Sequence, residues 1–195
     1  MKTQCHEQEE IPKGYDRVTD VLSPYKSFDG VDRTVLANAA ARGALVHTFC
    51  ELYALNLLIE TPPDHVKPYF ESFKLWFDTW VDKVVVAELR INDPEFRISG
   101  KFDMICKLKY SDNLVLVDYK TPLTYDKTWE MQLAAYRLLV HRNTNMRVDR
   151  TLCLKLDSEG KEATHREYRD FEMNEKLFVN QLEIFRFFNR KLNLK

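Results

Sequence analysis

The chain has 195 residues, of which 45% are hydrophobic and 30% charged, as expected for one soluble globular domain spanning residues 1–195. Its 29 basic and 30 acidic residues give a net charge of −1, so the overall charge does not by itself indicate a nucleic-acid-binding protein. No run of about 18 apolar residues is present, and the polar N-terminus does not resemble a signal peptide, so we expect a cytoplasmic protein without a membrane span.

The cysteines are far apart and form no CxxC pair, which favours reduced thiols over disulfides or an iron–sulfur cluster. They are Cys5, Cys50, Cys106 and Cys153.

The first part of the chain predicts helices. Residues 1–14 are polar and expected to be flexible, and a turn-rich segment follows as far as Asp32. An Ala- and Leu-rich helix is predicted over Val35–Leu58. After a Thr-Pro-Pro break, a second helix is predicted over Val66–Asp82, with a proline tolerated in its first turn.

A change to β-branched residues then predicts three consecutive strands. They cover Val84–Ile91, Phe96–Lys109 and Leu114–Lys120, and short turns separate them. The third strand is apolar on both faces until Asp118, which predicts a central, buried position in the sheet.

The remaining pattern predicts a helix over Tyr125–Arg142, a hairpin of strands Thr151–Leu156 and Thr164–Tyr168, and a C-terminal helix over residues 173–192. The order of elements indicates an α/β (α+β) fold. Its mixed central sheet contains an antiparallel meander and is flanked by helices.

Two charged residues end the buried third strand. Because side chains alternate along a strand, Asp118 and Lys120 share one face. A buried charge needs a partner or a metal. An ion pair that closes the strand is the simple alternative to a catalytic role.

The preceding strand brings a second carboxylate to the same place. If the hairpin turns at residues 111–113, Asp103 reaches the level of Asp118. Two neighbouring carboxylates repel unless a cation or proton joins them. Oxygen ligands of this kind suit Mg²⁺ or Mn²⁺.

Other polar residues interrupt apolar elements, and each has a structural alternative. His47 lies within the first helix, where a lone histidine is commonly structural. Glu88 interrupts the first strand and could face solvent. Gln132 and Tyr136 are four residues apart on the third helix, where such a pair could form a solvated edge.

Taken in order, these residues resemble the RecB-like exonuclease branch of the PD-(D/E)XK nuclease superfamily. The branch has a helical His, an acid on the first strand, a Gly-x-x-Asp strand, an (Asp/Glu)-x-Lys strand and a Gln-x-x-x-Tyr helix. The matching residues here are His47, Glu88, Gly100 to Asp103, Asp118 to Lys120, and Gln132 with Tyr136. The segment Arg17–Leu22 is also similar to small phage-type and mitochondrial-type exonucleases of this branch.

The resemblance implies a restriction-endonuclease-like core and a division of roles. Asp103, Asp118, His47 and the Tyr119 carbonyl would bind Mg²⁺ or Mn²⁺, and histidine ligation fits Mn²⁺ comfortably. Lys120 would orient the attacking water, lower its pKa or stabilise the transition state. Glu88 would bind a second metal or hold a ligand through a water, while Gln132 and Tyr136 would orient the site or contact the substrate backbone.

Several basic and aromatic residues are candidates for contacts with a nucleic-acid backbone or with bases. The nearest cations by sequence are Arg42, Lys101, Lys127 and Arg137. The basic C-terminus, from Arg186 to Lys195, is expected to be an ordinary solvated helix end. The aromatic residues between Tyr69 and Trp80 could stack on single-stranded bases, although their helical spacing favours core packing.

The resemblance therefore implies a metal-dependent DNA exonuclease that acts on single strands or free ends, with a role in DNA recombination, repair or replication. Its oligomeric state stays open. Two alternatives share the fold, namely a catalytically inactive nucleic-acid-binding protein and a structure-specific endonuclease. Motifs of serine hydrolases, phosphate-binding loops and zinc enzymes are absent from the sequence.

Overall fold

A computed structural model describes residues 10–26, 30–58 and 60–189 of the protein. Its helices and strands follow the predicted order, preceded by a short additional entry segment. The elements are β1 (Asp16–Arg17), α1 (Val18–Val21), a 3₁₀ helix (Ser23–Tyr25), α2 (Arg33–Ala54), α3 (Lys67–Trp80), β2 (Val81–Asp93), β3 (Ile98–Leu108), β4 (Leu114–Lys120), α4 (Thr128–Asn143), β5 (Val148–Lys155), β6 (Thr164–Tyr168) and α5 (Phe171–Asn189).

Within the described residues, the six strands form one mixed sheet in the order β1-β3-β4-β5-β6, and β2 pairs with β3. Strands β2, β3 and β4 form the predicted antiparallel meander. Helix α4 connects β4 to β5, which run parallel, and β5 and β6 form the predicted hairpin. The predicted fold class, a mixed sheet flanked by helices, is confirmed.

The sheet separates two apolar cores. Helices α2 and α3 cover one face, where Val115, Val117 and Tyr119 of β4 point. Helices α4 and α5 cover the other face, where Leu116 points. Strand β4 is therefore buried on both sides, as its continuous apolar sequence predicts.

Carboxylates just before two helices accept hydrogen bonds from the first residues of those helices. Helix α2 begins at Arg33, before the predicted Val35, because the Asp32 carboxylate accepts hydrogen bonds from the backbone N–H groups of Thr34 and Val35. Helix α4 begins at Thr128 rather than Tyr125, because the Asp126 carboxylate accepts hydrogen bonds from the Thr128 N–H and hydroxyl. Residues 121–127 are consequently a loop.

The entry segment differs most from prediction, since β1, α1 and the 3₁₀ helix occupy part of a region expected to consist of turns. Val18 and Val21 are buried in the core beneath α4 and α5, so tertiary packing orders this segment. Residues 1–9, 27–29, 59 and 190–195 lie outside the described parts. The predicted flexible N-terminus falls mostly among them.

The described cysteines Cys50, Cys106 and Cys153 are free and buried, and Cys5 lies outside these residues. Burial raises the pKa of the Cys106 and Cys153 thiols to about 12, so they behave as apolar core residues. Among the described helices, none is both long and apolar enough to cross a membrane.

Candidate metal centre and catalytic site

Three carboxylates stand at one level on neighbouring strands. On β2 and β3, the pairs Ala87–Met104 and Leu89–Phe102 flank Glu88 and Asp103, so these two residues lie at the same level. The backbone pairing of β3 with β4 ends at Met104 and Val117, one residue before Asp103 and Asp118 would meet. There the Asp103 carboxylate instead accepts a hydrogen bond from the backbone N–H of Tyr119. Carboxylates on adjacent strands repel, so this arrangement requires positive charge nearby.

Glu88 reaches this level through unusual backbone geometry. Its φ is 52°, in the left-handed region that a residue with a side chain rarely adopts. Such a conformation costs about 1–3 kcal/mol and persists where the surrounding structure enforces it. A register irregularity lies just before it, between Val84 and Val86. Local strain is thus concentrated at a carboxylate of the candidate site.

Helix α2 brings a histidine to the carboxylates. His47 Nδ1 lies 2.8 Å from Asp103 Oδ1 and 3.9 Å from Glu88 Oε1. Burial disfavours the charged imidazole, but Asp103, with smaller contributions from Asp118 and Glu88, outweighs burial and raises the pKa of His47 to about 9. The imidazolium supplies the positive charge that the carboxylates require.

The same three residues fit a divalent metal ion. His47, Glu88 and Asp103 each offer a ligand atom, and these atoms lie within 4.8 Å of one another. Glu88 Oε1 is buried and has no hydrogen-bond partner among the described residues, whereas Lys101 binds its other carboxylate oxygen. An imidazole and two carboxylates are suitable ligands for Mn²⁺ and, through their oxygens, for Mg²⁺.

A second set of polar groups adjoins the first and extends to α4. Lys120 Nζ lies 2.5 Å from Asp118 Oδ2 and donates a hydrogen bond of 3.1 Å to Gln132 Oε1. Gln132 Nε2 in turn donates to the Tyr136 hydroxyl at 2.8 Å. Burial disfavours the Lys120 charge, but Asp118 outweighs burial and raises the pKa of the ammonium. The four side chains form one continuous network.

The geometry distinguishes between the structural and catalytic alternatives for these polar residues. The Asp118–Lys120 ion pair exists, but it is part of a network rather than an isolated closure of the strand. Gln132 and Tyr136 are buried and do not form a solvated edge. The Glu88 side chain is only 10% exposed, so it does not face solvent.

The four predicted metal ligands do not all meet at one point in the structure. The structure brings His47 and Asp103 together with Glu88, while the Asp118 carboxylate faces Lys120. Tyr119 contacts Asp103 through its N–H. Metal ligation by Asp118 and the Tyr119 carbonyl stays a prediction.

The cations predicted to contact a nucleic-acid backbone differ in their partners and in their exposure. Lys101 binds Glu88, and the Arg42 guanidinium lies 5.4 Å from the Tyr69 ring centroid. Lys127 is 96% exposed on the loop after β4. Arg137 forms an ion pair with Glu175 of α5 at 2.5 Å.

Two other predicted groups have structural roles. Four of the α3 aromatic side chains are buried, as core packing predicts; these are Tyr69, Phe70, Phe73 and Trp76. Arg186 is not a solvated helix end, because it forms an ion pair with Asp16 at 2.8 Å. Arg190, Lys191 and Lys195 lie outside the described residues.

Sequence reasoning did not identify two neighbours of Lys120. The ammonium lies 5.8 Å from the Trp129 ring centroid. The second is Lys26, whose pKa is lowered mainly by burial and also by repulsion from the nearby Lys120. Trp129 lies three residues before Gln132 and so shares its helix face, but no pattern links Lys26 to a site almost 100 residues later.

Comparison with known proteins adds a family match. A sequence model of the PD-(D/E)XK nuclease superfamily matches residues 33–186, which include every predicted catalytic residue. The comparison with curated proteins gives no match. One similar solved structure is the crystal structure of SSO0001, with 16% sequence identity, a TM-score of 0.46, and coverage of 95% of this chain and 80% of that one.

Proposed function

The chain belongs to the PD-(D/E)XK nuclease superfamily, and we propose that it is a metal-dependent DNA exonuclease of the RecB-like branch. The observation that carries this proposal is the meeting of His47, Glu88 and Asp103 beside the Asp118–Lys120 pair. Carboxylates, an imidazole and an ammonium are the groups that metal-assisted phosphodiester hydrolysis requires. The choice of DNA and of chain ends rests on the family resemblance.

We assign the metal to His47, Glu88 and Asp103, with Asp118 and the Tyr119 carbonyl as further candidate ligands. When bound, Mg²⁺ or Mn²⁺ would polarise the phosphoryl oxygen and lower the pKa of an attacking water. Lys101 binds the second oxygen of Glu88 and thereby orients its free oxygen towards His47. The Tyr119 N–H fixes Asp103 in the same way.

Lys120 supplies hydrogen-bond donors beside the metal centre. The ammonium forms an ion pair with Asp118 Oδ2 and donates a hydrogen bond to Gln132 Oε1, so it is held from two elements. Its positive charge is suited to orienting the water and to stabilising charge that develops on the phosphoryl group. Gln132 and Tyr136 position Lys120 from α4.

Contacts to the nucleic-acid backbone are proposed for the four predicted cations, namely Arg42, Lys101, Lys127 and Arg137. The Lys127 side chain is more exposed than those of Lys101 and Arg137. Each contact to a phosphate would release condensed counterions and make binding salt-dependent.

The testing experiment uses one end-labelled linear DNA, as single and as double strand, beside a closed circle. Each is incubated with Mg²⁺, with Mn²⁺ and with EDTA. We expect metal-dependent loss of linear DNA with the circle intact, and the fate of the label gives the polarity. Cutting of the circle would instead identify an endonuclease. Binding without cleavage in either metal would support the inactive binding protein.

A further inference from the structure

The loop that follows Lys120 carries exposed apolar side chains close to the candidate catalytic site. Leu123 is 75% exposed and Tyr125 is 37% exposed. Tyr125 packs edge-on against the buried Trp129 ring at 5.6 Å, and the Lys120 ammonium lies over Trp129. The exposed loop is therefore connected directly to the Lys120 environment.

Two cationic side chains lie close to the Tyr125 ring. The Arg166 guanidinium lies 4.2 Å from its centroid and the Lys155 ammonium lies 5.6 Å from it. Among the described residues, neither cation has a carboxylate partner within salt-bridge distance, whereas Arg150 and Arg169 nearby are both paired with Glu167. An aromatic ring with unpaired cations is suited to binding bases and phosphates.

The register of the sheet aligns these cations with the catalytic residues. Lys120 of β4 pairs with Lys155 of β5. Asp118 pairs with Cys153, which pairs with Arg166 of β6. Because adjacent strands are about 4.8 Å apart, the Arg166 backbone stands about 10 Å from that of Asp118. Positive charge thus continues from Lys120 across two further strands.

We propose that four side chains form a binding track for single-stranded nucleic acid, called the track below, which guides the nucleic acid to Lys120. These side chains are Leu123, Tyr125, Lys155 and Arg166. This inference rests on the proposed nuclease function and adds its substrate form. Bases stack on the Tyr125 ring and the Arg166 guanidinium, while Lys155 and Arg166 contact phosphates. An unpaired strand fits because its bases are free to stack, whereas those of a duplex are already stacked on one another.

The test measures binding separately from cleavage. Fluorescence anisotropy in EDTA compares a labelled single strand of about 12 nucleotides, within the usual site size, with a blunt duplex of the same sequence. We expect Tyr125→Ala to weaken single-strand binding about 5- to 100-fold, the range for loss of one stacked base. Tyr125→Phe should retain binding, and duplex binding should change much less.

The charged part of the track is tested by salt dependence. Arg166→Gln should reduce the slope of log affinity against log salt by about 0.7, the contribution of one phosphate contact on a single strand. Tyr110→Ala and Arg147→Gln are the matched controls, because both residues are exposed and lie at the ends of β3 and β5 opposite to the track. Both should bind like the unmodified protein.

Wild-type-like binding by Tyr125→Ala, or equal weakening for single strand and duplex, would overturn the track. Failure of the unmodified protein to bind the single strand would do the same. Thermal unfolding of each variant separates loss of binding from loss of folding, and Leu123→Ala tests the track at a side chain too exposed to support the core. If the binding contrast holds but no metal promotes cleavage, the proposed nuclease function fails while the track stands.

Discussion

At the scale of single residues, Lys120 is held from two different elements, by an ion pair with Asp118 on β4 and a hydrogen bond to Gln132 on α4. A buried ammonium is costly unless it is paired, and its partners here also fix its direction. Because Lys120 lies beside His47, Glu88 and Asp103, its ammonium is placed to stabilise a phosphoryl group. The side chain is therefore placed for chemistry as well as for pairing.

We predict that Lys120→Gln lowers the single-turnover rate of DNA cleavage by about 10²- to 10³-fold, as expected for loss of one preorganised charge-stabilising donor. Glutamine keeps a donor for Asp118, so circular dichroism should show an intact fold. Lys107→Gln is the control, because Lys107 is a partly exposed lysine on β3 paired with the fully exposed Asp112. Near-normal cleavage by Lys120→Gln would remove Lys120 from the catalytic site.

Residue-scale prediction succeeded where strand alternation applies. Asp118 and Lys120 are two residues apart, and their side chains meet as predicted. Alternation could not predict that Glu88 approaches His47, because Glu88 adopts a left-handed φ within a strand. Such a distortion depends on the neighbouring elements and has no signature in the two-residue pattern.

At the scale of elements, the approach of α4 to β3 depends on a glycine. A Cβ at Gly100 would lie 2.5 Å from Leu139 Cδ1 and 3.0 Å from the Tyr136 ring. Both close neighbours of this position are side chains of α4. Any larger residue must shift the Leu139 and Tyr136 side chains of α4, the helix that also carries Gln132 and therefore the contact to Lys120.

We predict that Gly100→Ala destabilises the protein by about 1–3 kcal/mol, the usual cost of overpacking, and also slows cleavage. Gly43→Ala is a matched control within α2, since its Cβ would meet only Thr121 Oγ1 at an ordinary 3.7 Å. That substitution should stabilise the helix by up to about 1 kcal/mol. Urea unfolding of both variants measures the difference, and equal effects would show that close packing at Gly100 is unimportant.

A buried carboxylate joins the β2–β3 turn to the end of α4. Asp93 accepts hydrogen bonds from the Phe96 N–H at 2.7 Å, Arg142 Nε at 2.8 Å and Asn143 Nδ2 at 3.0 Å. Burial opposes ionisation, but these three donors outweigh it and lower the pKa of Asp93. The ionised carboxylate therefore stabilises the folded state.

We predict that Asp93→Asn lowers the free energy of unfolding by about 1.5–3 kcal/mol at neutral pH, the range for hydrogen bonds to a charged group. Because the folded pKa is below the unfolded one, the contribution is complete above the unfolded pKa and is lost as pH falls through the folded pKa. The difference between the two proteins should therefore shrink between about pH 5 and pH 3. A difference that is constant over this range would contradict the role of the charge.

The elements were predictable to the extent that their signals are local. Strand β4 was predicted to the residue, because its apolar run is bounded by a turn and a proline. The β1–α1 entry was missed because it is ordered by burial of Val18 and Val21 beneath elements far along the chain. Long-range packing of this kind leaves no local periodicity.

At the scale of the whole molecule, the candidate metal centre unites elements that are distant in sequence. His47 comes from α2, Glu88 from β2 and Asp103 from β3. The sequence predicted that Asp103 and Asp118 would share a metal, because hairpin register brings strands β3 and β4 together. It could not predict how α2 lies across the sheet, which is what brings His47 to Asp103 and Glu88.

We predict that a bound metal stabilises the whole fold. At about 100 times its dissociation constant, Mn²⁺ should add about 2.7 kcal/mol, which raises the unfolding midpoint of a domain of this size by about 5–10 °C. Differential scanning calorimetry with Mn²⁺ and with EDTA measures this shift. Glu88→Gln should reduce it strongly, because Glu88 belongs to the His47–Glu88–Asp103 cluster and its Oε1, like Asp118 Oδ2, is buried without a hydrogen-bond partner among the described residues. Glu95→Gln, at an exposed carboxylate, is the control.

The same measurement separates the two possible ligand sets. If Glu88→Gln loses the shift and Asp118→Asn keeps most of it, the metal lies among His47, Glu88 and Asp103, as the geometry indicates. If Asp118→Asn loses the shift and Glu88→Gln keeps it, the metal lies among His47, Asp103, Asp118 and the Tyr119 carbonyl, as the family resemblance implies. Loss in both variants would place all three carboxylates around the metal, with Lys120 then released from Asp118 towards the substrate. No shift in the unmodified protein would remove the metal centre and, with it, the proposed mechanism.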